Sequence, residues 1–169
     1  MRYLKSVFFL ATVCLLIMGS RTKEIKLTEG LQPGNLAPEL HWQDIHLKGD
    51  KFVLLQFWAA YDAQSRMENV QMHNAISQSK MNGIRLISIS MDESEAVFEG
   101  IVKAEHLNPA TQFNDPRGKE SDIFKTYRLN AGFTNWLINP DGLIVAKNVN
   151  PKEISTYMNI HPSSIQSIM

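Results

Sequence analysis

One cysteine, Cys14, is present in the 169 residues, and none follows it. Beyond residue 14 the chain therefore has no internal disulfide, no cysteine cluster for zinc, and no thiolate for disulfide-exchange or peroxidase chemistry. An excess of one charge sign is also missing. Seventeen Lys and Arg balance 17 Asp and Glu, with no run of like charge, so nucleic acid and anionic membrane surfaces are not indicated as partners. His41, His46, His73, His106 and His161 show no His-x-x-x-His spacing, so packing or surface roles are expected of them, with no metal and no cofactor. No repeat or low-complexity tract is present. With 44% apolar and 20% charged residues the chain has the makings of one globular domain.

The N-terminus stands apart. Arg2 and Lys5 precede an apolar run from Val7 to Met18, the pattern of a secretory signal. The run is short of the roughly 20 residues that span a bilayer. Residues 1–20 read as a signal peptide ending at Met18-Gly19-Ser20 or as an uncleaved anchor; lipidation at Cys14 would need a better match than Ala11-Thr12-Val13 provides. The expected location is the periplasm or cell envelope, with membrane association only through this segment if it is retained. Cleavage would leave 15 basic and 17 acidic residues and no cysteine in an oxidising compartment. Residues 21–32 read as a tether, 33–162 as the domain and 163–169 as a tail.

Phe52 to Trp58 is nearly continuous apolar sequence, suited to a strand buried on both faces. Asp62 to Lys80 is expected to be helical, with Met67, Val70, Ala75 and Ile76 as its apolar positions. Arg85 to Ser90 is a second strand. A second helix is expected to bury Val97, Gly100, Ile101 and Ala104, leaving Glu93, Glu95, Lys103 and Glu105 for solvent, and to end at Asn108-Pro109. A short helix follows around Ile123, Phe124 and Tyr127. Thr134 to Ile138 and Leu143 to Ala146 form a hairpin about Pro140-Asp141-Gly142, and Ile154, Tyr157 and Met158 mark a last helix. This order implies an α/β fold, a mixed central sheet with helices on both faces.

That order, with particular residues, resembles the thioredoxin-like superfamily, specifically envelope thiol–disulfide oxidoreductases of the TlpA/ResA type and their peroxiredoxin (AhpC/TSA) relatives. Gly34 to Leu40 resembles the opening Gly-x-x-Ala-Pro-acid motif. Phe52 to Ala60 resembles the strand leading to the active site, and Ser90-Met91-Asp92 the end of the next strand. Asp115, Gly118 and Tyr127 fit the segment before the hairpin, and Leu137 to Gly142 the hairpin itself. The resemblance spans about residues 33 to 160 and implies a thioredoxin-like fold.

The departures bear on function. The family's Cys-x-x-Cys is replaced by Asp62-Ala63-Gln64-Ser65, and its cis-proline by Phe133; no proline lies between Pro116 and Pro140. A cis bond before Phe133 would cost about 2.5–4 kcal/mol, so trans is expected. Serine forms no disulfide and is a weak nucleophile without a positioned base. Asp62 at a helix N-terminus is expected to act as an N-cap, favoured there by the helix dipole. Glu68 matches an acid that the family uses in proton handling. As an acid–base pair Asp62 and Glu68 are poorly spaced, six residues apart and off one helical face. The resemblance brings Trp58, Tyr61 and Phe133 to the old active-site surface. Phe57 and Trp58 are expected in the core, whereas Tyr61, Asp62, Phe133 and Thr134 are candidate binding residues. Tyr61 and Phe133 either bind a partner or fill the space left by the lost motif. The leading expectation is a non-catalytic binding or accessory module that takes a protein or peptide in the old groove. The alternative is an enzyme with residual non-thiol chemistry or a cysteine borrowed from a partner.

Overall fold

A computed structural model describes residues 27–78 and 81–159, so the expected signal segment, Cys14, part of the expected tether, His161 and the tail lie outside the described residues. Five strands, β1 (Phe52–Trp58), β2 (Ile84–Ser90), β3 (Gln112–Asn114), β4 (Asn135–Ile138) and β5 (Ile144–Lys147), form one sheet in the order β3-β2-β1-β4-β5. β1, β2 and β3 are parallel; β4 runs antiparallel to both β1 and β5. The helices are α1 (Ala63–Gln78), α2 (Glu95–Ala104), α3 (Asp122–Thr126) and α4 (Ile154–Met158). This is the mixed α/β sheet that the sequence order implied. β3 is an addition: three residues, two of them polar, carry no strand signal of their own, and only pairing with β2 makes them a strand.

Strand alternation sends residues to two faces. Val53, Leu55 and Phe57 of β1 join Ile87, Ile89, Trp136, Ile138 and α3's Ile123 and Phe124 in one core cluster. Leu54 joins Leu86, Leu137, Met72 of α1 and Ile154 of α4 on the opposite face. Trp58 lies further along that second face with Phe98, Val102 and Leu107. Helices therefore cover both faces.

Between the two clusters of the second face runs a polar row. Asn135 pairs with Gln56, Gln56 with Ser88 and Ser88 with Gln112 across four strands, and all four side chains are buried. Asn69 of α1 descends onto the row. Its Oδ1 accepts from Ser88 Oγ at 2.6 Å and its Nδ2 donates to Gln112 Oε1 at 3.0 Å.

This row explains a correction to the expected face of α1. The buried residues are Ser65, Asn69, Met72 and His73, while Met67 is exposed and Val70, Ala75 and Ile76 only half-buried. Hydrogen-bonding polar groups, invisible to an apolar pattern, set the helix rotation. His73 holds the same helix to the loop after α2, its Nε2 accepting from Asn108 N–H at 3.0 Å. The face expected for α2 is corrected likewise. Phe98 and Val102 are buried and Ile101 half-buried, while Val97, Gly100 and Ala104 are exposed. The Phe98 ring, larger than any residue of the expected stripe, packs 6.1 Å from Trp58 and decides the rotation. Glu105, assigned to solvent, instead pairs with Arg66 of α1.

The described end of the expected tether lies on the domain. Glu29 bridges to Leu36, and Leu31 packs against the core while its carbonyl accepts from Trp136 Nε1–H at 3.2 Å.

Asn69→Ala strands Ser88 and Gln112 in a dry interior. It should lower unfolding free energy by roughly 2–4 kcal/mol in chemical denaturation, and a loss under about 0.5 kcal/mol would show that the row is not structural. Asp115, fully buried, should give an acid-dependent term. Burial alone would raise its carboxyl, but hydrogen bonds from Arg117 and Ser121 and the guanidinium charge outweigh it and hold the carboxyl below its ordinary value of 3.8. A depressed folded value adds stability that is present above the unfolded value and lost as pH falls through the folded one. The stability gap between wild type and Asp115→Asn should therefore be widest at neutral pH and narrow in acid. A pH-independent gap would contradict this.

Candidate functional site

β1 and β2 both end at the same edge of the sheet, where α/β folds place ligands. Trp58, buried, is followed by Ala59-Ala60-Tyr61-Asp62, which turns the chain into α1. Asp62 sits at the N-cap. Its Oδ1 accepts from Ser65 N–H at 2.8 Å and its carbonyl from Arg66 N–H at 3.1 Å. Ser65, also buried, ties the turn closed: its Oγ accepts from Ala59 N–H at 3.3 Å and donates to the Asp62 carbonyl at 3.2 Å. The residues at the two motif positions thus spend their polar groups on the helix start.

A second carboxylate anchors the turn from below. Asp92, two residues past β2, accepts from Ala60 N–H with both oxygens, at 3.0 and 2.9 Å, and from Ser90 Oγ–H at 2.7 Å. Sequence reasoning named Asp92 only as the end of a strand motif. The available signal was an acid two residues after a buried strand's last serine.

Tyr61 projects from this turn, 63% exposed. Partial burial, then the negative charges of Asp92, Asp62 and Glu93, push its phenol above the ordinary value, so at neutral pH it stays a hydrogen-bond donor. A cavity of about 380 Å³ opens beside it, lined by Asp92, Glu93, Ser94, Val97 and Lys119. Gly118 brings Lys119 there. Its φ of +53° suits glycine, and a Cβ would come within 3.0 Å of the Glu93 side chain.

Phe133 reaches the site from the other direction. Gly132, at φ +119°, turns the chain out of the preceding helical turn and into Phe133. The Phe133 ring lies 6.2 Å from Tyr61 and 6.5 Å edge-on from Phe124. It is half-buried, packed on the core and still open at one side. Among the described residues every peptide bond is trans, including the one before Phe133. Thr134 continues β4 toward the site. Its carbonyl accepts from Phe57 N–H at 3.2 Å, and its Oγ1 is buried without a partner.

The structure thus gathers Tyr61, Asp62, Phe133 and Thr134 around one surface. Glu68 is not among them. It lies a turn and a half along α1, accepts from Gln64 Nε2–H at 2.6 Å and makes no bond to Asp62, so the pair does not form an acid–base couple. Among the described residues no group of three or more His, Cys, Asp or Glu side chains is placed to hold a metal ion.

A thioredoxin-like protein from Parabacteroides distasonis ATCC 8503, known from its crystal structure, is 43% identical and superposes with a TM-score of 0.76 over 80% of this chain and 100% of its own. The chain belongs to the thioredoxin-like family. Curated thiol-disulfide oxidoreductases of the ResA type are also similar to it. Thiol-disulfide oxidoreductase ResA of Bacillus thuringiensis subsp. konkukian is 28% identical over 152 residues, covering 85% of this chain and 86% of its own length. A thiol-disulfide oxidoreductase from Bacteroides fragilis NCTC 9343 shares the fold at 24% identity and a TM-score of 0.55, over 72% of this chain and 83% of its own. No family model matches the chain. The turn from Tyr61 to Ser65 is the segment where the sequence resemblance expects Cys-x-x-Cys, and it carries Asp62 and Ser65.

A cap needs a side-chain oxygen more than a charge. Asp62→Ala should lower stability by roughly 0.5–2 kcal/mol, and Asp62→Asn by much less. Thermal or urea unfolding of the two variants checks this, and equal losses would assign the effect to charge instead.

Proposed function

We propose that this thioredoxin-like protein is a non-catalytic binding or accessory module of the bacterial envelope, with the family's substrate-gripping surface converted to binding alone. The observation that carries the reading is the fate of the active-site turn. In family members a helix N-terminus at this point lowers a cysteine's pKa. Here the same position holds Asp62, whose side-chain oxygen is bonded to the first turn. Ser65 is buried and doubly hydrogen-bonded, its hydroxyl donating to the Asp62 main-chain carbonyl and not to a carboxylate or imidazole. No cysteine follows Cys14, so no mixed disulfide forms on the domain itself.

Binding is supported by what stays open. Tyr61 and Val97 are exposed apolar side chains flanking a cavity, and Phe133 extends the aromatic surface toward the sheet. Exposed aromatics with polar rims favour protein or peptide contacts. Export to the envelope accords with Arg2, Lys5 and the apolar run behind them. Among the described residues no helix is long and apolar enough to cross a membrane.

Two measurements test the reading together. The purified protein should reduce insulin disulfides no faster than buffer with dithiothreitol, and turnover above that rate, with contaminating thioredoxin excluded, would overturn it. Peptides selected from a display library on the wild-type protein should lose at least about tenfold in affinity to Tyr61→Ala, a loss of roughly 1.4 kcal/mol. Selected peptides indifferent to Tyr61→Ala would move the binding surface elsewhere. Asp62→Cys with Ser65→Cys probes the geometry: the pair should oxidise in air yet stay a poor catalyst, because Phe133 replaces the family's cis-proline.

A further inference from the structure

A second groove, of about 450 Å³, lies on the far side of Phe133, between α1 and the loop that leaves β5. Its chemistry differs from that of the Tyr61 cavity. α1 contributes Gln64, Glu68 and Gln71, spaced four and three residues apart and so on one helical face. The opposite wall is three asparagines, Asn135, Asn148 and Asn150. No Lys, Arg or His lines the groove.

From these observations we propose that the groove binds a neutral, hydroxyl-rich ligand of the saccharide class. A primary amide carries two donors and a carbonyl acceptor, and those of Gln71 and Asn148 are uncommitted among the described residues, which matches the alternating donor and acceptor character of vicinal hydroxyls. Glu68 adds a carboxylate that accepts two hydroxyl protons, and Gln64 Nε2–H already steadies it at 2.6 Å. The Phe133 ring forms one end, an apolar face for the C–H side of a sugar ring. An anionic ligand would meet Glu68 with no cation to offset it. A peptide is disfavoured because grooves that take extended chains offer an unpaired strand edge. Here side-chain amides line the walls, and the start of β5 is already paired with residues 34 and 35: Gly34 N–H donates to the Ile144 carbonyl at 2.8 Å, and Ile144 N–H to the Asn35 carbonyl at 2.9 Å.

The asparagine wall is built in advance. Asn135 clamps Val149 from both sides, Oδ1 accepting from its N–H at 2.8 Å and Nδ2 donating to its carbonyl at 3.2 Å. That clamp fixes the two flanking asparagines. Asn148 is held at φ +54°, its N–H bonded to the Asn135 carbonyl at 3.0 Å. Asn150 caps the following turn by accepting from Lys152 N–H at 3.1 Å. Among the described residues the side-chain amides of Gln71 and Asn148 make no protein hydrogen bond, which leaves both for a ligand. Preorganised donors lower the ordering cost of binding. The groove shares Gln64 and Phe133 with the surface around the turn but needs neither Asp62 nor Ser65, so its test is read separately from the reading of those two positions.

The test is heteronuclear NMR on labelled protein, titrated separately with glucose, N-acetylglucosamine, maltose, cellobiose, glucuronate and a lysine-containing peptide. At least one neutral sugar should shift the side-chain amide signals of Gln71, Asn148 and Asn150 at millimolar concentration, with glucuronate weaker than its neutral counterpart. Gln71→Ala and Asn148→Gly, the latter chosen to keep the left-handed backbone, should each weaken that binding about five- to tenfold while leaving the melting temperature in place. Any of four results overturns the proposal: no neutral sugar shifts these signals, the shifts map to the Tyr61 cavity, the variants bind as the wild type does, or only the peptide engages the groove.

Discussion

The hydrogen bonds of Asn69 set how α1 sits on the sheet, and most of what is distinctive in this protein depends on that seating. A four-strand row of buried polar side chains would be costly in a dry interior without partners. Asn69 supplies two of the bonds that make the row tolerable, and in doing so fixes the rotation of α1 about its own axis. Apolar burial would not have done this, because the helix offers Met72 as its one fully buried apolar side chain. His73 and Arg66 then tether the same helix to the loop and helix end beyond α2. Polar pairing of this kind contributes little net stability compared with an apolar core, but it admits few alternatives, and register is what a site needs.

With α1 so placed, its N-terminus is held over the carboxyl ends of β1 and β2. The turn there is tied from three directions: Asp62 to the helix, Ser65 back to Ala59, and Asp92 up to Ala60. In a thiol oxidoreductase that turn must let two sulfurs approach, separate and meet substrate. In this chain Asp62 and Ser65 are hydrogen-bonded within the turn itself. The aromatic pair Tyr61 and Phe133 is what remains open at the surface. A carboxylate at the helix start also sets the local field. With Asp92 and Glu93 it surrounds the Tyr61 phenol with negative charge.

The sheet, its parallel half, the late hairpin and the helix order were legible because long apolar strands and Gly-Pro punctuation are local signals. β3 was not, since Gln112–Asn114 becomes a strand only by lying against β2. The rotation of both long helices was misread for a related reason. Apolar periodicity ranks residues by hydrophobicity, whereas α1 is seated by Asn69 and Ser65, and α2 by one large ring, Phe98, finding Trp58. Asp62 was legible as a cap from its position alone, because capping is decided within one helical turn. Asp92 was not, because its role is to receive an N–H from Ala60, 32 residues earlier in the chain.

What this sequence determined by itself was chemical exclusion and local form. Without a cysteine past residue 14 no fold gives the domain a thiol, and the strand, turn and cap signals each act over a few residues. What only the tertiary structure decided was which polar groups are already spoken for. Ser65, Asn69, Asp92 and Asn135 are committed inside the fold, whereas Tyr61, Gln71 and Asn148 face open space. That division turns on hydrogen bonds between segments far apart in the chain, and the free energy of leaving a buried donor unpaired is settled only when the partner segment arrives.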